Sequence, residues 1–131
     1  MHIDVLVEDV LVIVERLRRE HGEFKLAMLF NAALNLPTNW NLIVSSDWTD
    51  RIGIAESTRE IAREIHQSLR PETRPAISRI TVLKTTDSFV RDMTRLYPRP
   101  NREGGVPLSH LTAGNVEGAG FLLYSQPEIP A

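Results

Sequence analysis

Apolar positions recur along this chain with two different periods, and the switches between them set out its elements. Ile3, Leu6, Val7, Val10, Leu11, Val14 and Leu17 repeat at helical spacing, with Asp4, Glu8, Asp9, Glu15, Arg16 and Arg19 largely on other faces. This predicts an amphipathic helix, although the Val and Ile content of Ile3–Val7 would also suit a strand. Gly22, after Arg18-Arg19-Glu20-His21, supplies its stop. Phe24 to Phe30 is a short apolar run with Lys25 as its only charge, and predicts a strand. Asn35, Pro37, Thr38 and Asn39 are turn formers, and Trp40 to Ser46 is a second strand. The connection is too short for a crossover helix, so the two strands should be antiparallel.

A long helix is predicted from Thr49 or Asp50 to Leu69. Its inner stripe is Ala55, Thr58, Ile61, Ala62, Ile65 and Leu69, and its solvated side is Glu56, Arg59, Glu60, Arg63 and Glu64. Pro71 and Pro75 bound the loop that follows. Ile77 to Lys84 alternates, with Ile80 and Val82 opposite Arg79, Thr81 and Leu83, as a third strand. Thr86 or Asp87 caps a short helix whose inner side is Phe89, Val90, Met93, Leu96 and Tyr97. Pro98 to Gly105 is a polar Pro/Gly loop expected to move. Leu108 to Ala113, a turn at Gly114-Asn115, and Val116 to Tyr124 predict a final hairpin, in which Gly118 and Gly120 mark a bulge or a close backbone approach. The residues after Ser125 read as an untethered tail. The order α-β-β-α-β-α-β-β predicts a single α/β (α+β) domain over residues 1–125, a sandwich with a mixed sheet. The strands on either side of the long helix should be parallel, joined by a right-handed crossover.

Composition narrows the function classes. With 131 residues, 42% apolar and 24% charged, the chain has the make-up of one soluble globular domain. Its formal charge of −2 provides no field to draw it to nucleic acid or anionic lipid. The basic residues are nearly all Arg, with Lys only at Lys25 and Lys84, which favours bidentate pairing with carboxylates or phosphates. Without Cys, disulfides, thiolate metal sites and Cys nucleophiles are excluded. The apolar opening carries Asp4, Glu8 and Asp9, unlike a secretory signal, and no run reaches membrane-spanning length, so a cytoplasmic protein is expected.

Candidate chemistry centres on Ser45, Ser46, Asp47, Thr49 and Asp50, where a buried-strand pattern runs into hydroxyls and carboxylates at a helix start. In open α/β sheets such strand ends hold ligands. Two carboxylates oppose a phosphate and suit a divalent cation better, while Ser, Thr and Asp at this place also cap helices. Ser45-x-Asp47-x-Thr49 is similar to the D-x-D-x-T motif of haloacid-dehalogenase-type phosphatases, but Ser45 stands where that family carries its nucleophilic Asp. The block from Trp40 to Trp48 resembles small bacterial α/β proteins with a strand of the form W-[DN]-L-[IV]-[IV]-S-[SA], loosely through Arg79-Ile80-Thr81-Val82-Leu83. That resemblance implies a compact α/β domain and no particular chemistry.

Arg91 and Arg95 share a helix face, and Arg99 and Arg102 extend the cluster, as a solvated face or a grip for an anion. His2, His21, His66 and His110 show no metal-ligand spacing; His110 is the best general-base candidate of the four, but a hydrogen-bonded structural role is the favoured reading of it. Ser45, His110 and Asp47 could be assembled into a triad on paper, but no G-x-S-x-G elbow presents the serine. Trp40 and Trp48 could anchor an interface or close the core, and Phe121 and Leu123 lie in an apolar hairpin suited to an interface. The leading expectation is a protein-interaction or regulatory module that pairs with a protein partner or itself as a homodimer, without cofactor or metal. The alternative is a small enzyme or ligand-binding protein using the strand end at Ser45–Asp50, with or without a divalent cation, and with Arg91, Arg95 or His110 approaching.

Overall fold

The computed structural model describes residues 3–31, 40–97, 106–113 and 116–125, with side chains described for 5–31, 40–97 and 120–125. In chain order the elements are α1 (Ile3–His21), β1 (Phe24–Asn31), β2 (Trp40–Ser46), α2 (Asp47–Ile52), α3 (Ile54–Ser68), β3 (Ile77–Val82), α4 (Ser88–Leu96), β4 (Val106–Ala113) and β5 (Val116–Ser125). The strands form one mixed sheet in the order β3-β2-β1-β5-β4. β2 and β3 are parallel, and every other neighbouring pair is antiparallel. The predicted α+β architecture, the first antiparallel pair, the parallel crossover unit and the final hairpin are therefore present.

The central strand explains its own composition. Phe24, Ala27 and Leu29 of β1 join the core under α1 and α3, while Leu26, Met28 and Phe30 join the core under α4. A strand covered on both faces needs an unbroken apolar run rather than an alternating one. The register slips between Ala27 and Met28 against β5, which leaves Leu123 and Tyr124 both in the α1/α3 core. Gly120 shows the close approach expected of the glycines in this strand. A Cβ there would stand 2.3 Å from the Leu29 carbonyl oxygen of β1.

The helices depart from prediction in detail. α1 buries Leu6, Val7, Val10, Val14 and Leu17 of the predicted stripe with Ile13 in addition, leaves Leu11 half-buried, and ends with the Gly22 N–H bonded to the Arg18 carbonyl. The predicted long helix is broken at Gly53, whose φ of 93° and ψ of 162° are open essentially to glycine alone, giving α2 and α3. It also starts earlier, at Asp47, because Ser46 supplies the cap. Ala55 and Ala62 are exposed; Ser57 takes the inner place, its hydroxyl donating to the Gly53 carbonyl at 2.6 Å. Leu96 is also exposed, and Thr94 is buried instead on α4, which Asp87 caps through the Phe89 N–H. β3 ends at Val82, although the Leu83 N–H still bonds the Val44 carbonyl. The predicted turns at 32–39 and 114–115, the loop at 98–105 and the tail at 126–131 lie outside the described residues.

One clasp ties α1 to the chain after α3. The Asp9 carboxylate accepts hydrogen bonds from Arg70 Nε and Nη2 and, at 2.7 Å, from the fully buried Thr73 hydroxyl. The hydrogen bonds from Arg70 hold the Asp9 carboxyl below the usual carboxylate range, against the opposing effect of burial.

Candidate functional site

The parallel pair β2–β3 creates a topological switch point. After β2 the chain passes to the α1/α3 side, and after β3 it passes to the α4 side, so the two connections diverge from adjacent carboxyl ends. Open α/β sheets place ligands in such a crevice. The residues gathered here are Ser45 to Asp50 on one connection and Lys84 to Asp87 on the other.

Ser46 is extended and closes the start of α2 with a reciprocal capping box. Its Oγ accepts from the Trp48 N–H at 3.2 Å, and its own N–H donates to Thr49 Oγ1 at 3.0 Å. The Ser46 hydroxyl donates in turn to the Glu23 carbonyl at 2.5 Å, fixing the α1–β1 connection against the helix start. Asp50 reaches across the crevice: its carboxylate accepts from the Thr85 hydroxyl at 2.6 Å and the Thr85 N–H at 3.2 Å. Asp47 is exposed in the first turn, and its carboxylate forms no hydrogen bond with a described residue. Ser45 is fully buried and its hydroxyl has no partner among the described residues, and the same is true of Ser125. Both pair with Leu26, one from each side of β1.

The interface candidates divide. Trp48 is interior, stacked on His21 with ring centroids 4.5 Å apart and set edge-on to Phe24. Leu123 is fully buried. Neither has surface to offer a partner: Trp48 closes the core beneath the α2 start, and the β5 bulge turns Leu123 inward. Trp40 and Phe121 are half-buried and lie against each other at 5.8 Å. The His21–Trp48 stack, with Glu20 and Glu60 within 3.9 Å of the imidazole, joins residues far apart in the chain and carries no motif.

Arg91 and Arg95 line a cavity of about 180 Å³ on α4 together with Ser88 and Asp92, and Arg95 pairs with Asp92 at 3.2 Å. No residue of the Ser45–Asp50 junction lines that cavity, so the structure does not bring the two groups together. The His110 side chain lies outside the described residues; its backbone is in β4. Among the described residues, no group of three His, Asp or Glu side chains stands together as a metal-ligand set. None of the described helices is long and apolar enough to cross a membrane. No protein family, curated protein or solved structure matches the chain.

Proposed function

We propose that this protein is an interaction module that pairs with a second copy through the outer edge of β4, which has no further strand beside it among the described residues. One observation carries the reading. β4 is an outer strand of the sheet, and its eight residues, Val106 to Ala113, include no Lys, Arg, Asp or Glu. Proteins that must avoid edge-to-edge pairing place charges on such strands; an uncharged edge suits continuation of the sheet across a two-fold axis. Pro107 suits an edge strand, and its missing N–H confines the continued ladder to the β4 residues that follow it. Sedimentation over a wide concentration range tests the reading. A reversible dimer is expected, and Ser109→Lys, which sets like charges close to the axis, should raise its dissociation constant by about tenfold or more. A strict monomer at the highest concentration sinks the proposal.

A second reading is favoured by the switch point: a cation or small polar ligand held between Asp47, Asp50 and the Thr85 turn. Support comes from the exposed Asp47 carboxylate beside a crevice that only the Asp50–Thr85 contact bridges among the described residues. Titration with manganese should then broaden the amide resonances of Asp47, Asp50 and Thr85 before any others. Uniform or absent broadening removes this reading.

A further inference from the structure

The opposite edge of the sheet differs from β4. β3 has β2 on one side and no strand on the other among the described residues. A cavity of about 250 Å³ opens between α3 and this edge, with Ile65 and His66 of α3, Arg74, and Ile77, Arg79 and Ile80 along it. Among the described residues no carboxylate lines the cavity. Arg74 uses one Nη2 bond on the Leu69 carbonyl, while its Nε is shielded from solvent and has no acceptor among the described residues. Arg79 is exposed and pairs with no described acid.

We infer that the β3 edge captures an extended segment of a partner protein in which apolar and acidic residues alternate. In a parallel pair half of the outer strand's peptide groups face away from its neighbour, so an added strand finds donors and acceptors waiting. Ile77 and Ile80 pack with the α1/α3 core, which places the apolar floor of the cavity on that side of the sheet. The β2–β3 register shifts between Trp40 and Asn41, where β3 carries one extra residue, so Ile77 and Ile80 share that side. From Arg79 on successive residues alternate, and Arg79 stands with Leu83 on the other side and borders the cavity at the strand edge. An added strand of period two therefore sets its apolar side chains over Ile65, Ile77 and Ile80 and its carboxylates toward Arg79. Arg74 and His66 line the cavity on the apolar side, where the unfilled Nε donor of the guanidinium suits an acidic residue at the end of the segment beside Ile77, past the alternating stretch. A basic segment would meet two arginines with no compensating acid.

This inference rests on the chain being an interaction module but not on its self-association. The probe is a fluorescein-labelled peptide of about eight alternating Val and Glu residues, the length of an ordinary strand, with a Val/Lys peptide as control. Saturable binding by fluorescence anisotropy is expected for the acidic peptide alone. Arg79→Glu and His66→Glu are surface changes that should leave the circular dichroism spectrum intact and weaken binding, about tenfold or more for the arginine. Amide exchange should slow in β3 and be unchanged in β4. No binding, equal binding of the Val/Lys peptide, displacement by an equal charge of free glutamate, or slowed exchange at β4 would each overturn the inference. Sedimentation of Arg79→Glu separates the two ideas: dimerisation through β4 survives that change, so either can fail alone.

Discussion

Two buried hydroxyls, Ser45 Oγ and Ser125 Oγ, sit on either side of Leu26 without a described partner. A buried donor left unpaired costs its desolvation and returns nothing. Replacing Ser45 or Ser125 with Ala should leave the melting temperature unchanged or raise stability by up to about 1 kcal/mol. A loss above that size would reveal a bond that each hydroxyl makes in solution. Asp9 points the other way. Its carboxyl is held below the unfolded-state value near pH 4. Its contribution is therefore fully present above that value, and it drains away as pH falls from there through the depressed folded value. Asp9→Asn should flatten the stability–pH profile in that acid window while leaving its shape above about pH 5 unchanged; urea titrations at stepped pH measure this. An unchanged acid limb would show that the Arg70 clasp does not persist. The candidate residues are legible from the sequence only as types. Ser46 and Asp50 announce a helix start, but the choice of Ser46 as cap and of Thr85 as the partner of Asp50 depends on which strand lies beside which.

At the scale of elements, burial on one or both faces decides how much of the fold the sequence foretells. β1 and β2 stand out because a short, unbroken apolar run suits a strand covered on both sides, and β3 because its apolar residues alternate. Helix faces are harder. Alanine suits either side of a helix, so periodicity alone turns Ala55 and Ala62 inward. It passes over Ser57, whose burial depends on two backbone carbonyls that its hydroxyl bonds locally. The break between α2 and α3 has a visible cause in Gly53, but a single glycine inside a periodic stretch does not say whether it bends the chain or merely rides in it. Its backbone conformation makes a prediction. Gly53→Ala should cost about 1–3 kcal/mol although no atom lies within 4 Å of the added methyl, because the strain is in the backbone and not in packing. A neutral effect by chemical denaturation would mean that α2 and α3 can merge into one helix.

Across the whole molecule, the sheet divides the work between two unlike edges. β4 is long and uncharged, whereas β3 is short, carries Arg79 and borders a cavity with Arg74. Interior positions such as Trp48 and Leu123 cannot be told from surface ones by residue type, since an aromatic or apolar side chain in a short strand or at its end suits either place. The strand order also carries a consequence for how the chain comes together. β1 is made early, yet the strand that covers its second side, β5, is the last one synthesised among the described strands. Until residues 116–125 emerge, a run of apolar main chain waits with one side unpaired, as a template for any extended segment nearby. A chain cut after Ala113 should be recovered as aggregate or bound to chaperones, and adding residues 116–125 as a separate peptide during refolding should restore soluble monomeric or dimeric material. Soluble, cooperatively folding truncated chain would show that α1, α3 and β2 suffice to protect β1, and that the late strand is an addition to a fold already closed.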